Sequence, residues 1–127
     1  MSQRILIVED DDGLREILEI VLKQEGFVVD TCPDGKQAED YFEVAKKENR
    51  ELAMVILDLN MPIIDGWELS RWLDADPELR DIPVVVISAT EEHGEAAKRL
   101  HADAYLVKPF STDEILGVVS LFSLLGP

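Results

Sequence analysis

Short apolar runs alternate with segments of helical periodicity along the whole of this chain. Such runs, rich in β-branched residues and bounded by polar or turn-forming residues, are typical of strands buried on both faces of a sheet. The runs cover residues 5–8, 27–31, 54–57, 82–87 and 104–107. Because each is followed by a helical segment, the alternation predicts a parallel sheet with helices on both faces. We therefore expect an α/β fold, a doubly wound sheet of five parallel strands.

Capping residues and glycine mark where the predicted helices begin and end. Asp11 or Asp12 is placed to cap the first helix, and Gly26 to stop it. Ser111 or Thr112 is placed to cap the last helix. With no linker or low-complexity stretch between these elements, we expect a single domain over residues 1–127.

Length and composition restrict the class of protein further. A chain of 127 residues is about half as long as a closed eight-stranded barrel requires. The lone cysteine, Cys32, excludes an internal disulfide and is expected to be a small buried side chain. No uncharged run approaches the roughly 20 residues needed to span a bilayer, and Glu9 comes too early for a signal peptide. We expect a cytoplasmic protein with no membrane partner.

The net charge of −15 bears on the partners. A field of this sign repels phosphate backbones, so we expect no binding of nucleic acid by this domain alone. It favours divalent cations and basic partners, although much of the excess belongs on solvated helix faces.

Chemically informative side chains follow four of the five predicted strands. Because the carboxyl ends of parallel strands meet at one edge of a sheet, we expect these side chains to converge, as ligands do in open α/β folds. They are Glu9 and Asp10 after the first strand, Asp58 after the third, Ser88 after the fourth and Lys108 after the fifth.

Three converging carboxylates would repel one another, and a divalent cation would relieve that repulsion. A small set of oxygen ligands suits Mg²⁺, which keeps several waters and is often shared with phosphate. With the ammonium of Lys108 and the hydroxyl of Ser88 beside them, the group forms a predicted site for a phosphoryl group. Asp58, as a carboxylate nucleophile, is then a candidate phosphoryl acceptor.

Each of these residues also has a plainer interpretation. Asp58 could begin a turn or cap a helix, and Glu9 with Asp10 could be an acidic helix entry. Ser88 alone is more often a cap or turn residue, and Lys108 alone a surface charge. The prediction of a site depends on the combination.

Four motifs in this order resemble the receiver domain of two-component response regulators. They are Ile5-Leu6-Ile7-Val8-Glu9-Asp10-Asp11, Asp58-Leu59-Asn60-Met61-Pro62-Ile63-Ile64-Asp65-Gly66, Val86-Ile87-Ser88-Ala89 and Lys108-Pro109-Phe110. The resemblance covers residues 4–125. It implies a flavodoxin-like sheet with strand order 2-1-3-4-5, and a cis bond between Lys108 and Pro109.

The resemblance also implies roles for particular residues. Asp58 would accept a phosphoryl group from a histidine kinase or a histidine phosphotransfer protein, and Lys108 would pair with that group. The implied Mg²⁺ ligands are Glu9, Asp10, Asp58 and the backbone carbonyl of Asn60. Ser88 would bond a phosphoryl oxygen and move when it arrives, and Tyr105 would be the switch aromatic that turns inward. Glu9 where many members have Asp, and Ser88 in place of Thr, depart from the family without removing a chemical group that the site needs.

The implied output is a changed protein surface. The fourth helix, fifth strand and fifth helix (about residues 91–125) would bind a downstream protein partner, with homodimerisation on phosphorylation a further possibility. The domain would not be an enzyme, beyond assisting its own phosphorylation and slow autodephosphorylation.

Two other functions fit part of the pattern. Aspartate-nucleophile phosphohydrolases use similar residues, but they carry a second Asp at the position occupied here by Asn60. A binding module that never needs phosphate would use the same fold and a constitutive partner surface.

Overall fold

The computed structural model describes residues 3–59, 66–89 and 102–125. In these ranges the strands are β1 (Arg4–Val8), β2 (Val28–Cys32), β3 (Met54–Asp58), β4 (Val84–Ser88) and β5 (Ala104–Val107). The helices are α1 (Asp12–Gln24), α2 (Gly35–Lys47), α3 (Gly66–Ala75) and a C-terminal helix (Thr112–Leu125). The predicted fourth helix falls on residues 90–101, outside the described ranges.

All five strands belong to one parallel sheet with the order β2-β1-β3-β4-β5. This confirms the α/β fold predicted from the alternation and the strand order implied by the resemblance. The Lys108–Pro109 bond is cis, also as implied.

Two apolar cores lie on opposite faces of the sheet because side chains alternate along each strand. In β1, Ile5 and Ile7 join a core that includes Leu18 of α1 and Val119 of the C-terminal helix. A second core contains Leu6 and Val8 with residues of α2 and α3, among them Ala38, Phe42, Leu69 and Leu73. Helices therefore cover both faces, which explains why the inner strands β1, β3 and β4 carry uninterrupted apolar runs.

Local hydrogen bonds account for where the helices begin. The side chain of Asp11 accepts from the N–H of Leu14 at 2.9 Å and so caps α1. Ser111 and Glu114 form a reciprocal capping box at the start of the C-terminal helix, with bonds of 3.0 and 3.1 Å. Gly26 adopts a positive φ of 95° just past the end of α1, as its predicted role as a stop requires.

Two strands begin later than their apolar runs suggested. β2 starts at Val28 instead of Phe27, and β4 starts at Val84 instead of Ile82. Ile82 donates its N–H to the carbonyl of Leu79 at 3.1 Å, which keeps it in the preceding turn. At their other ends β3 and β4 extend to Asp58 and Ser88, so these polar residues are the last residues of neighbouring strands.

In the part of the chain that the structure describes, no helix has the length and apolar character that crossing a membrane would require.

Candidate functional site

Three predicted carboxylates meet at the carboxyl edge of the sheet. One oxygen from each of Glu9, Asp10 and Asp58 can be chosen so that all three lie within 4.8 Å of one another. Glu9 and Asp58 are buried, with 0% and 1% of their surface exposed, whereas Asp10 is exposed to solvent. The convergence predicted from the strand ends is therefore present, with Asp10 on the open side.

Lys108 brings a positive charge into this group. Its Nζ lies 2.6 Å from Oε1 of Glu9 and 3.4 Å from Oδ2 of Asp58. The backbone N–H of Lys108 donates to the carbonyl of Ser88 at 2.7 Å, which fixes the start of the loop after β5. Burial lowers the pKa of Lys108, but the contacts with Glu9 and Asp58 outweigh it and the pKa lies above its usual value. The ammonium therefore stays charged at neutral pH.

One oxygen of Glu9 is left without a hydrogen bond. Oε2 accepts the N–H of Asp11 at 3.2 Å, whereas the buried Oε1 has no hydrogen-bond partner in the structure. The same Oε1 lies 2.6 Å from Nζ of Lys108, so its partner is the ion pair with that ammonium. A buried carboxylate oxygen with unused acceptor capacity is costly unless something else binds it.

The charges at this edge are unequal. Among the residues that the structure describes, the side-chain cation that pairs with these three carboxylates is the ammonium of Lys108, which leaves a formal charge of −2. For Asp10, burial raises the pKa, but contacts with Glu9 and Asp58, its own backbone N–H and the charge of Lys108 bring it below its usual value. The excess charge, the oxygen-only ligands and the remaining acceptor capacity of the Glu9 carboxylate together fit a hard divalent cation such as Mg²⁺.

Two of the remaining predicted site residues, Ser88 and Tyr105, lie on the neighbouring strands β4 and β5. Ser88 is fully buried at the end of β4, and its strand pairs with β5. Tyr105 is half-buried in β5 and packs against a small core of Leu59 and Val86. Asn60, the implied carbonyl ligand, lies outside the described residues.

Sequence analysis missed Arg15, which lies close to this edge. Its guanidinium donates a hydrogen bond of 2.9 Å to the backbone carbonyl of Glu9. The available signal was a single basic residue three to six positions after four consecutive acids, Glu9 to Asp12. That spacing allows an (i, i+3) pair on a helix but does not indicate a backbone partner.

Comparison with known proteins agrees with this geometry. The family model for the response regulator receiver domain matches residues 5–120. The chain belongs to the response regulator receiver domain family. It is 37% identical over 121 residues to the phosphate regulon transcriptional regulatory protein PhoB of Rhizobium meliloti, an alignment that covers 94% of this chain and 51% of PhoB. The chain spans about half the length of the curated relatives it matches.

Solved receiver structures have the same fold. A putative response regulator from Chloroflexus aurantiacus superposes with a TM-score of 0.86 at 27% identity, over 96% of this chain and 98% of that one. The response regulator TrrA of Thermotoga maritima, solved in complex with Mg²⁺-BeF, superposes with a TM-score of 0.78 at 30% identity, over 94% and 98% of the two chains. The acidic cluster of this receiver domain is thus compatible with Mg²⁺ binding.

Proposed function

We propose that this receiver domain is a signalling switch that accepts a phosphoryl group on Asp58, and that residues 1–127 form one such domain. The observation that carries the proposal is the buried pair of carboxylates, Glu9 and Asp58, that both approach the ammonium of Lys108. A stable structural cluster would balance these charges, whereas this one retains an excess of carboxylate.

The Mg²⁺ ligands in this proposal are Glu9, Asp10, Asp58 and the backbone carbonyl of Asn60. When bound, the ion supplies a positive charge that neutralises phosphoryl oxygens and lowers repulsion between the acids. Glu9 and Asp10 lie in the loop that follows β1, and Asp58 ends β3. Because β1 and β3 are paired in the sheet, the fold itself holds these ligands together.

Transfer to Asp58 requires a nucleophile held in line with the donor. A carboxylate oxygen of Asp58 forms the new bond to phosphorus while the phosphorus–nitrogen bond of the donor's phosphohistidine breaks. The imidazole leaves with a proton in place of the phosphoryl group, and the product is an acyl phosphate. Lys108 is already within 3.4 Å of Asp58, where its ammonium can pair with the incoming phosphoryl oxygens.

The switch itself involves Ser88 and Tyr105. In the proposal, the Ser88 hydroxyl donates to a phosphoryl oxygen and the backbone around it moves, and Tyr105 turns toward the space that is freed. A partner that binds the rearranged surface (about residues 91–125) more tightly shifts the population toward it. On the C-terminal helix Leu121 is 54% exposed and offers apolar contact area to such a partner.

The proposed partners follow from membership of the family. A histidine kinase or a histidine phosphotransfer protein donates the phosphoryl group, and a protein or a second copy of this chain reads the activated surface. We propose that the domain works in the cytoplasm, binds no nucleic acid by itself and catalyses nothing beyond its own phosphorylation and slow autodephosphorylation. MtrA of Mycolicibacterium smegmatis, 38% identical, is named a DNA-binding response regulator, and this chain covers 50% of it.

A phosphorylation assay tests this function. The wild type, incubated with Mg²⁺ and an acyl phosphate donor such as acetyl phosphate, is expected to take up one phosphoryl group, with none taken up in excess EDTA. Asp58→Asn is expected to lose at least about 100-fold of the rate, because the nucleophile is gone. The matched control Asp74→Asn removes an exposed acid on α3 and should react like the wild type. Uptake by Asp58→Asn at the wild-type rate would show that the acceptor is another residue.

A further inference from the structure

The guanidinium of Arg15 reaches back from α1 across the loop that carries the acids. Nη1 donates to the carbonyl of Glu9 at 2.9 Å, and Nη2 lies 2.5 Å from Oδ1 of Asp12. The side chain is only 20% exposed. A cation at the start of a helix opposes the helix dipole, so these two contacts must hold Arg15 in this place.

The carbonyl that Arg15 binds belongs to the peptide unit joining Glu9 to Asp10. The peptide unit before Glu9 is also fixed, because its N–H donates to the carbonyl of Cys32 in β2 at 3.1 Å. Both peptide units that flank Glu9 are therefore tied down, one by the sheet and one by Arg15. The orientation of these units sets the direction in which the carboxylates of Glu9 and Asp10 leave the backbone.

We propose that Arg15 is a positioning residue for the cation site, holding the Glu9–Asp10 peptide unit so that both carboxylates converge with that of Asp58. Without this bond the loop must be ordered by the ion itself, and the entropy lost in ordering the loop is subtracted from the binding free energy. Loss of such supporting contacts typically lowers metal affinity by about tenfold or more. The inference rests on the proposed function, because it assumes that the acidic cluster binds Mg²⁺.

Electrostatics alone predicts that neutralising Arg15 raises the affinity for Mg²⁺ instead of lowering it. Arg15 is a positive charge bonded to the loop that carries Glu9 and Asp10, and removing it makes the local field more negative. If charge were its only influence, a neutral side chain at this position would bind Mg²⁺ more tightly. A loss of affinity on neutralising Arg15 is therefore specific to the positioning role.

The shape of the side chain gives a second distinction. The planar guanidinium donates at once to the Glu9 carbonyl and to Asp12, an arrangement that a lysine ammonium on a flexible stem does not reproduce. Arg15→Lys keeps the positive charge but loses the simultaneous donation to the Glu9 carbonyl and to Asp12. It is expected to lose part of the affinity, although the charge is unchanged.

Titration calorimetry with Mg²⁺ alone tests the inference on the whole chain. The dissociation constant is expected to rise about tenfold in Arg15→Met and about threefold in Arg15→Lys. Lys23→Met, which removes an exposed cation from the same helix where it pairs with Glu19, is the matched control and should stay within about twofold of the wild type.

Unchanged or tighter Mg²⁺ binding by Arg15→Met would overturn the positioning role. If that variant does not fold, Arg15→Lys decides, and wild-type affinity there has the same meaning. Failure of the wild type to bind Mg²⁺ would instead refute the proposed metal site, so the two failures are distinguishable.

Discussion

Two groups of charged side chains in this domain are balanced in opposite ways. The carboxyl-edge cluster (Glu9, Asp10, Asp58 and Lys108) has three acids and one cation. Two of its acids are buried, and one buried oxygen has no hydrogen bond. Its carboxylates repel one another as well as attract Lys108, and its net negative charge favours the binding of a cation.

The edge-strand cluster (Asp30, Arg4, Tyr41 and Arg50) surrounds a single acid with donors. Oδ2 of Asp30, on β2, accepts from Arg4 at 2.8 Å and from the Tyr41 hydroxyl at 2.6 Å, and Arg50 lies 3.9 Å away. Arg50 also stacks over the Tyr41 ring, 5.3 Å from its centre. In this cluster a single acid therefore faces two cations and a hydroxyl donor.

The pKa shifts in the edge-strand cluster agree with its pairing. Burial raises the pKa of Asp30, but the bonds from Tyr41 and Arg4 and the charge of Arg50 bring it below its usual value. Burial and the bond to Asp30 raise the pKa of Tyr41 to about 12. Both groups are thereby held in the protonation state that suits their contacts. A cluster whose acid is paired in this way stabilises the fold, whereas the carboxyl-edge cluster, with its excess of carboxylates, is suited to bind a cation.

The largest expected effect on stability comes from removing the only cation of the carboxyl-edge cluster. Lys108→Met removes the ammonium that pairs with the buried carboxylates of Glu9 and Asp58, and breaking a buried ion pair of this kind typically costs about 3 kcal/mol. Urea unfolding in EDTA should show this loss, and saturating Mg²⁺ should recover most of it because the ion replaces the missing charge. The control Lys36→Met removes an exposed lysine that pairs with Asp40, and should change stability by about 0.5 kcal/mol or less. Equal losses with and without Mg²⁺ would contradict the contrast between the two clusters.

A smaller effect is expected from the edge-strand cluster. Asp30→Ala removes the acceptor shared by Arg4 and Tyr41, and because these groups are only partly buried the expected loss is about 1–2 kcal/mol. Mg²⁺ should not restore it, in contrast to Lys108→Met. The comparison variant is Asp40→Ala, an exposed acid on α2, with an expected change of about 0.5 kcal/mol or less. Recovery of Asp30→Ala by Mg²⁺ would mean that the two clusters are coupled.

The smallest expected effect is the pH dependence of the stability difference between the wild type and Asp30→Ala. Because the pKa of Asp30 is lower in the folded state than in the unfolded state, its contribution is fully present above the unfolded value of about 4. It is lost as the pH falls through the folded pKa. The stability gap between wild type and Asp30→Ala, measured by urea unfolding from about pH 7 to pH 3, should be constant above about pH 5 and then narrow. A gap that widens on acidification would show that the carboxylate form of Asp30 does not stabilise the fold.

The parts of the structure that could be predicted depend on short-range patterns. Four of the five strands were predictable because strands buried on both faces tolerate no charge in their centres, whereas the edge strand β2 carries Asp30. The cap at Ser111 was predictable because its partner Glu114 is three residues away. The convergence of Glu9, Asp58 and Lys108 followed from the geometry of a parallel sheet. The strand order came from the family resemblance, since alternation alone does not determine it.

The contacts that could not be predicted join side chains from distant segments. The edge-strand cluster brings together residues 4, 30, 41 and 50, each of which has the sequence signature of a surface residue. Arg15 binds a backbone carbonyl, which has no sequence signature. The closer approach of Lys108 to Glu9 than to Asp58 depends on side-chain rotamers, and these are selected by packing.

We propose above that the carboxyl-edge cluster accepts a phosphoryl group at Asp58. Peptide mapping by mass spectrometry of the protein phosphorylated in Mg²⁺, after reduction of the acyl phosphate with borohydride, measures this directly. We predict a single modified residue, Asp58, and no modification in a parallel sample kept in EDTA. Modification at another acid, or at Asp58 to the same extent without a divalent cation, would contradict the claim.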